Sequence, residues 1–193
     1  MSSGCHAILR DGPRDRIVGR KVYEEMMDFE FPRRRVLFLG LREAQMRSLA
    51  PLLRRRVVRA GELVCHRGQG KDALFLVERG GFELRAGGAV GARVIATFEP
   101  ASQVIEGCAG DFFGEACLFG AALWRAEVRA RERSVLIELR LVELQALFER
   151  DPELELLILR NVSRVLAARL RHRRREQAWR RAFGASRGAS GCA

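Results

Sequence analysis

Gly110-Asp111-Phe112-Phe113-Gly114-Glu115-Ala116-Cys117-Leu118-Phe119 leads, a few residues on, into Trp124-Arg125-Ala126-Glu127-Val128-Arg129-Ala130. A glycine turn carries a carboxylate, a short apolar segment follows, and then a strand-like alternation begins. Glycine lets backbone N–H groups come close to an anion such as a phosphate. A fixed carboxylate beside such a turn can accept hydrogen bonds from sugar hydroxyls. This stretch is therefore the candidate binding element of the chain.

The segments before it are short and punctuated by glycine. Val57-Val58, Leu63-Val64-Cys65, Ala73–Val77, Phe82-Glu83-Leu84, Val94–Phe98 and Val104-Ile105 are separated by Gly61, Gly68, Gly70, Gly80-Gly81, Gly87-Gly88 and Pro100. Arg125–Ala130 and Val135–Leu139 follow it. Eight short strands with turn signals at such spacing predict a mainly β protein, an eight-stranded β-roll or jelly roll. No helix alternates with these strands, so an enzyme of the βαβ type is excluded.

Helical periodicity flanks the strands on both sides. Residues 1–20 show none and are expected to be a flexible lead-in, and residues 21–53 read as a helical segment interrupted at Pro32 and Gly40. The domain proper is expected at 54–183, with the roll at 54–140, helices at 141–183, and a flexible tail at 184–193. Leu141, Leu144, Leu147 and Phe148 make one short helix. Asp151-Pro152 then reads as an N-cap with proline at the first helical position. The long helix after it carries a stripe of Leu154, Leu157, Ile158, Val162, Val165, Leu166 and Leu170.

At 193 residues the chain can bury a substantial core, and its net charge is +11. The charge is uneven: residues 160–193 hold ten arginines and one acid, Glu176, so the high pI describes the C-terminal end rather than the roll. Only Lys21 and Lys71 are lysines. The five cysteines (Cys5, Cys65, Cys108, Cys117, Cys192) are scattered, and Cys65-His66 with Cys108 and Cys117 lacks the tight spacing of a zinc site. Buried small hydrophobes are the better reading, and no metal or cofactor is expected. No signal peptide and no apolar run near about 18 residues is present, so a cytoplasmic location is expected. The histidines are scattered, no nucleophile sits beside a base, and Glu115 has no partner acid, which argues against an enzyme.

Taken in order, Gly61-Glu62-Leu63-Val64, Arg67-Gly68, Asp72–Val77, Gly80 and Gly110–Glu115 resemble the cyclic nucleotide-binding domain family over about residues 37–170. The type is that of catabolite activators and cyclic-nucleotide-regulated channels, and Tyr23–Leu53 loosely resembles the helical linker that precedes the domain in channels. The resemblance implies a regulatory module that binds cAMP or cGMP and moves its last helix over the ligand. In the family the cassette glutamate binds the ribose 2′-OH, backbone amides bind the cyclic phosphate, and an arginine at the next strand neutralises it. Carried over, Glu115 is the ribose contact, with Gly114, Ala116 and Cys117 as backbone contacts and Trp124, Arg125 and Ala126 at the arginine position. Arg164 and Arg169 are candidate lid contacts.

The chain departs from the pattern at that arginine. Counting back four from Val128 reaches Trp124, whereas Arg125 comes one residue later, and a one-residue offset along a strand reverses the face. Trp124, Ala126, Val128 and Ala130 make an apolar face; Arg125, Glu127, Arg129 and Arg131 make a charged one. Either a bulge re-aims Arg125 into the pocket, or Trp124 fills it and the domain is a degenerate interaction module. The residues do not choose between cAMP and cGMP. The basic cluster Arg171–Phe183, interleaved with Trp179, suits a protein partner, an acidic membrane surface or non-specific nucleic acid. Sequence-specific DNA binding is not expected.

Overall fold

The run Ala73-Leu74-Phe75-Leu76-Val77 has no polar face, and in the computed structural model the strand that contains it is buried on both sides. The structure describes residues 35–87, 91–100, 110–120 and 123–183, the side chains of 176 and 179–183 excepted. Among the described residues, eight strands form two antiparallel sheets. The strands are β1 (Arg54–Val58), β2 (Leu63–Cys65), β3 (Ala73–Arg79), β4 (Phe82–Ala86), β5 (Arg93–Phe98), β6 (Phe112–Phe113), β7 (Glu127–Ala130) and β8 (Ser134–Arg140). One sheet has the order β1-β8-β3-β6 and the other β2-β7-β4-β5.

Two hydrophobic cores follow from this layering. Between the sheets lie Val58, Val64, Cys65, Phe75, Val77, Phe82, Phe98, Phe113, Trp124, Val128 and Leu136. On the outer side of the first sheet, Leu74, Leu76, Phe112, Ile137 and Leu139 meet the helices. Alternate residues of β3, β6 and β8 thus serve opposite cores, which is why these strands carry consecutive apolar residues (Ala73–Val77, Phe112–Phe113, Val135–Ile137) while β7 alternates. Phe113 anchors the inner core: its ring centroid lies 5.1 Å from Phe75, 5.7 Å from Phe82 and 5.0 Å from Phe98.

The helices are α1 (Glu43–Leu49), α2 (Leu141–Phe148) and α3 (Pro152–Phe183), with short 3₁₀ turns at Val36–Phe38 and Ala50–Leu52. The expected break at Gly40 is present, with Gly40 at φ +82. Asp151 caps α3: its Oδ1 accepts from Leu154 N–H at 2.9 Å, and Pro152 opens the helix. Leu154, Ile158, Val162 and Val165 are buried against the N-terminal turn, α1 and α2. Asn161, fully buried, donates to the carbonyls of Leu37 (3.0 Å) and Leu39 (2.8 Å) and so ties the 3₁₀ turn to α3.

Val104-Ile105 lies outside the described residues, and so does the helical stretch expected before residue 35. Three details differ from the sequence reading. The described strand next to the glycine turn is Phe112–Phe113, which the sequence presented only as an apolar segment; it pairs with Phe75 and Leu76 of β3. β7 starts at Glu127 rather than Arg125. The buried stripe of α3 does not reach Leu170, which is 54% exposed; Arg169 takes the inward position one turn after Val165.

Asn161→Ala leaves two carbonyls without their donor and should destabilise the fold by about 2 kcal/mol. A lowered urea midpoint with an unchanged slope is the expected result.

Candidate functional site

The segment Gly110–Gly114 runs antiparallel beside β3, from Val77 to Ala73, and the turn Glu115–Phe119 follows it. Gly110 and Gly114 both have positive φ, +96 and +89. At Gly114 a Cβ would lie 2.5 Å from the carbonyl oxygen of Ala73, so only glycine lets the turn sit this close to β3. From Gly114 a 3₁₀ turn runs over Glu115–Phe119, and Cys117 N–H donates to the Gly114 carbonyl at 3.1 Å. The N–H groups of Glu115 and Ala116, ahead of this bond, are the ones that such a turn leaves without a partner within it.

Among the described residues, two ion pairs hold the segment. Asp111, buried, accepts from Arg35 at 3.4 Å, and its own carbonyl accepts from Val77 N–H at 2.7 Å. Burial pushes the Asp111 carboxyl above its ordinary range by more than the Arg35 charge pulls it down. Glu115 accepts from Arg169 of α3 at 3.0 Å on Oε1, with only 14% and 19% of the two side chains exposed. The same guanidinium donates to the Phe112 carbonyl and stacks over the rings of Phe112 and Phe98, at 4.9 and 5.5 Å from their centroids. A Cβ on Gly110 would sit 3.5 Å from Val165 and 3.6 Å from Arg169, so α3 lies directly over the glycine turn.

The expected site residues fall into two groups. Gly114, Glu115, Ala116 and Cys117 form one turn, with Arg169 against it. Arg164 does not join them; it is exposed and donates to Asn161 of its own helix at 3.4 Å. Trp124 (6% exposed) and Ala126 point into the roll, while Arg125 is exposed. The bulge that would turn Arg125 inward is therefore not the arrangement seen. The register shift lies instead in the partner strand, between Leu63 and Cys65 of β2, so the alternation of the β7 segment keeps its phase. The Trp124 indole meets the Phe113 ring edge-on, with centroids 6.3 Å apart.

Cys65 and Cys117 are buried free thiols, pushed up to about 12 and about 11 respectively, in each case chiefly by burial. Among the described residues no group of three His, Cys, Asp or Glu side chains converges as a metal site would require. Cys108 lies outside them. Sequence reading missed Arg35 and Lys71 and did not pair Arg169 with Glu115, because charges so far apart in the chain carry no local signal. Among the described residues no helix is long and apolar enough to cross a membrane.

Two outcomes follow from the buried titratable groups. Because the folded Asp111 carboxyl titrates above its ordinary value of 3.8, the folded chain holds this proton more tightly than the unfolded chain. The contribution of Asp111 to stability should therefore fall as pH rises through that window, and Asp111→Asn should remove this fall in urea titrations across pH. A contribution that grows with pH would mean that the Arg35 ion pair outweighs burial. At about pH 8, Cys65 and Cys117 should resist a thiol reagent in the folded chain and react once it is unfolded, as mapped by mass spectrometry.

The family model for the cyclic nucleotide-binding domain matches residues 55–151. An uncharacterized protein of Mycobacterium tuberculosis H37Rv is 39% identical over 100 residues, a match that spans 49% of this chain and 17% of the length of that relative. The catabolite activator protein of Thermus thermophilus is 28% identical with a TM-score of 0.57, over 74% of this chain and 62% of that one. A cyclic nucleotide-binding domain from Methylobacillus flagellatus has the same fold, with a TM-score of 0.61 at 18% identity over 83% of this chain and 82% of that one. The two four-stranded sheets, the glycine-bounded turn with Glu115 and the helix laid across it agree with that match over half the chain, and the chain belongs to the cyclic nucleotide-binding domain family.

Proposed function

We propose that this chain is a non-catalytic regulatory module that takes a cyclic nucleotide, cAMP or cGMP, at the 110–117 turn and transmits occupancy to α3. Arg169 carries this reading. One side chain of α3 donates both to Glu115 and to the Phe112 carbonyl, so the helix is anchored on the carboxylate that the family uses for ribose. A carboxylate accepts on two oxygens, and Arg169 uses Oε1, so a ribose hydroxyl can donate to Oε2 of the same group. Ligand and helix then share Glu115. A ligand shifts the helix position by as much as its affinities for the two positions differ.

Trp124 favours a second reading. Its indole is buried where the family places the phosphate-binding arginine, and Arg125 is exposed. In that case the module binds no nucleotide and acts through the basic end of α3, where Arg171, Arg173, Arg174 and Arg175 are exposed. An acidic membrane surface would gain about 1 kcal/mol from each arginine near it, and an acidic protein partner would use the same face.

Calorimetric titration of the whole chain with cAMP and cGMP separates the two. The first reading expects heat with at least one of them. It also expects Arg169→Ala to keep binding while losing ligand-dependent slowing of amide exchange in α3. Absence of heat with both at about 1 mM ligand overturns it. The second reading then requires that the chain pellet with anionic liposomes or with an acidic protein, and that replacing the four exposed arginines by alanine abolish this.

A further inference from the structure

The buried indole of Trp124 has a cation on its face: Lys71 Nζ stands 4.7 Å from the ring centroid, within the range of a cation–π contact. The backbone holds the two together. Gly68 N–H donates to the Trp124 carbonyl at 2.7 Å, Trp124 N–H donates to the Gln69 carbonyl at 2.9 Å, and Gly70 bridges to Leu123. The turn between β2 and β3 is thus joined to the segment that enters β7, and Lys71 emerges beside the indole. Its side chain is half-buried. None of the ion pairs among the described residues uses it.

Lys71 stands two residues before Ala73, on whose carbonyl the glycine-bounded turn is seated: a Cβ at Gly114 would lie 2.5 Å from that oxygen. The Cys117 thiol, raised mainly by burial, is raised further by Glu115 and by Asp72 and lowered by Lys71. The carboxylates of Glu115 and Asp72 and the ammonium of Lys71 therefore all act on this turn, whose first N–H groups have no partner within it. A ribose phosphate needs these three things together: an acceptor for the hydroxyl, amide donors, and a positive charge for the phosphate. Arg169, also at the turn, is engaged by Glu115 through Nη1 and by the Phe112 carbonyl through Nη2. Arg125 is exposed. A lysine ammonium on a flexible stem can swing from an indole face to an anion.

We propose that Lys71, seated on the indole of Trp124, supplies the positive charge for the phosphate of a bound cyclic nucleotide where the chain lacks the strand arginine of its family. This rests on the nucleotide-binding reading above. Trp124 is then the platform that positions the cation rather than a plug. The pair belongs to two elements, so the phosphate charge comes from the β2–β3 turn instead of from β7.

The test is calorimetry with cAMP and cGMP on the whole chain and on Lys71→Met, Lys71→Arg and Glu115→Gln, with thermal melts to confirm folding. Lys71→Met should weaken binding roughly ten- to a hundred-fold, the loss of one charge-assisted contact, and Lys71→Arg should stay within a few-fold of the natural chain. In a Trp179→Phe background, saturating nucleotide should shift Trp124 emission, and Lys71→Met should abolish that shift. If the natural chain binds and Lys71→Met binds equally well, the assignment of Lys71 is wrong while the nucleotide reading stands, with loss of binding in Glu115→Gln as its own check. If the natural chain binds neither nucleotide, both are wrong. Should Lys71→Met fail to fold, Lys71→Gln reads the same loss of charge.

Discussion

Phe112 and Phe113 are neighbours in a two-residue strand, and they are buried in different cores. Strand geometry sends adjacent side chains to opposite faces, so a buried Phe-Phe pair demands apolar material on both sides of its sheet. The roll supplies one side through Phe75, Phe82 and Phe98. The helices supply the other. The glycine-bounded turn that follows cannot move without disturbing one core or the other, and this constraint positions the carboxylate of Glu115.

The helix side of that arrangement is less uniform than the roll side. Leu154, Ile158, Val162 and Val165 bury an apolar stripe, and then the inward position passes to Arg169. From that residue the contact between α3 and the rest of the chain becomes polar: a carboxylate, a carbonyl and two ring faces. Apolar burial is indifferent to small changes in charge at the turn, whereas hydrogen bonds to Glu115 are directly sensitive to them. The N-terminal segment is engaged as well, since Arg35 reaches Asp111 and Asn161 holds the carbonyls of Leu37 and Leu39. Elements before and after the roll thus meet at one turn.

Much of this was legible in the chain. The strand segments, the glycine turns, the Asp151 cap and the face alternation of Trp124 to Ala130 follow from local periodicity and turn chemistry, and the cassette was recognisable from residue types in order. The strand at Phe112–Phe113 was not, because two residues carry no period and only their partners on β3 define them. The end of the buried stripe was also misplaced. Leu170 continues the helical pattern, yet it is exposed, and the inward position next to it belongs to Arg169.

The order of residues specified a two-sided β-roll with a capped helix behind it, since alternation, glycine turns and an Asp-Pro start are local physics that need no distant partner. It also placed Trp124 inward and Arg125 outward, through the parity of a strand. Which charges meet was settled only by folding. Arg169 and Glu115 are 54 residues apart, Arg35 and Asp111 76 apart, and Lys71 reaches Trp124 across a turn zipped to β7. Long flexible side chains have no period of their own, so their partners exist only once two sheets and a helix have set the distances between them.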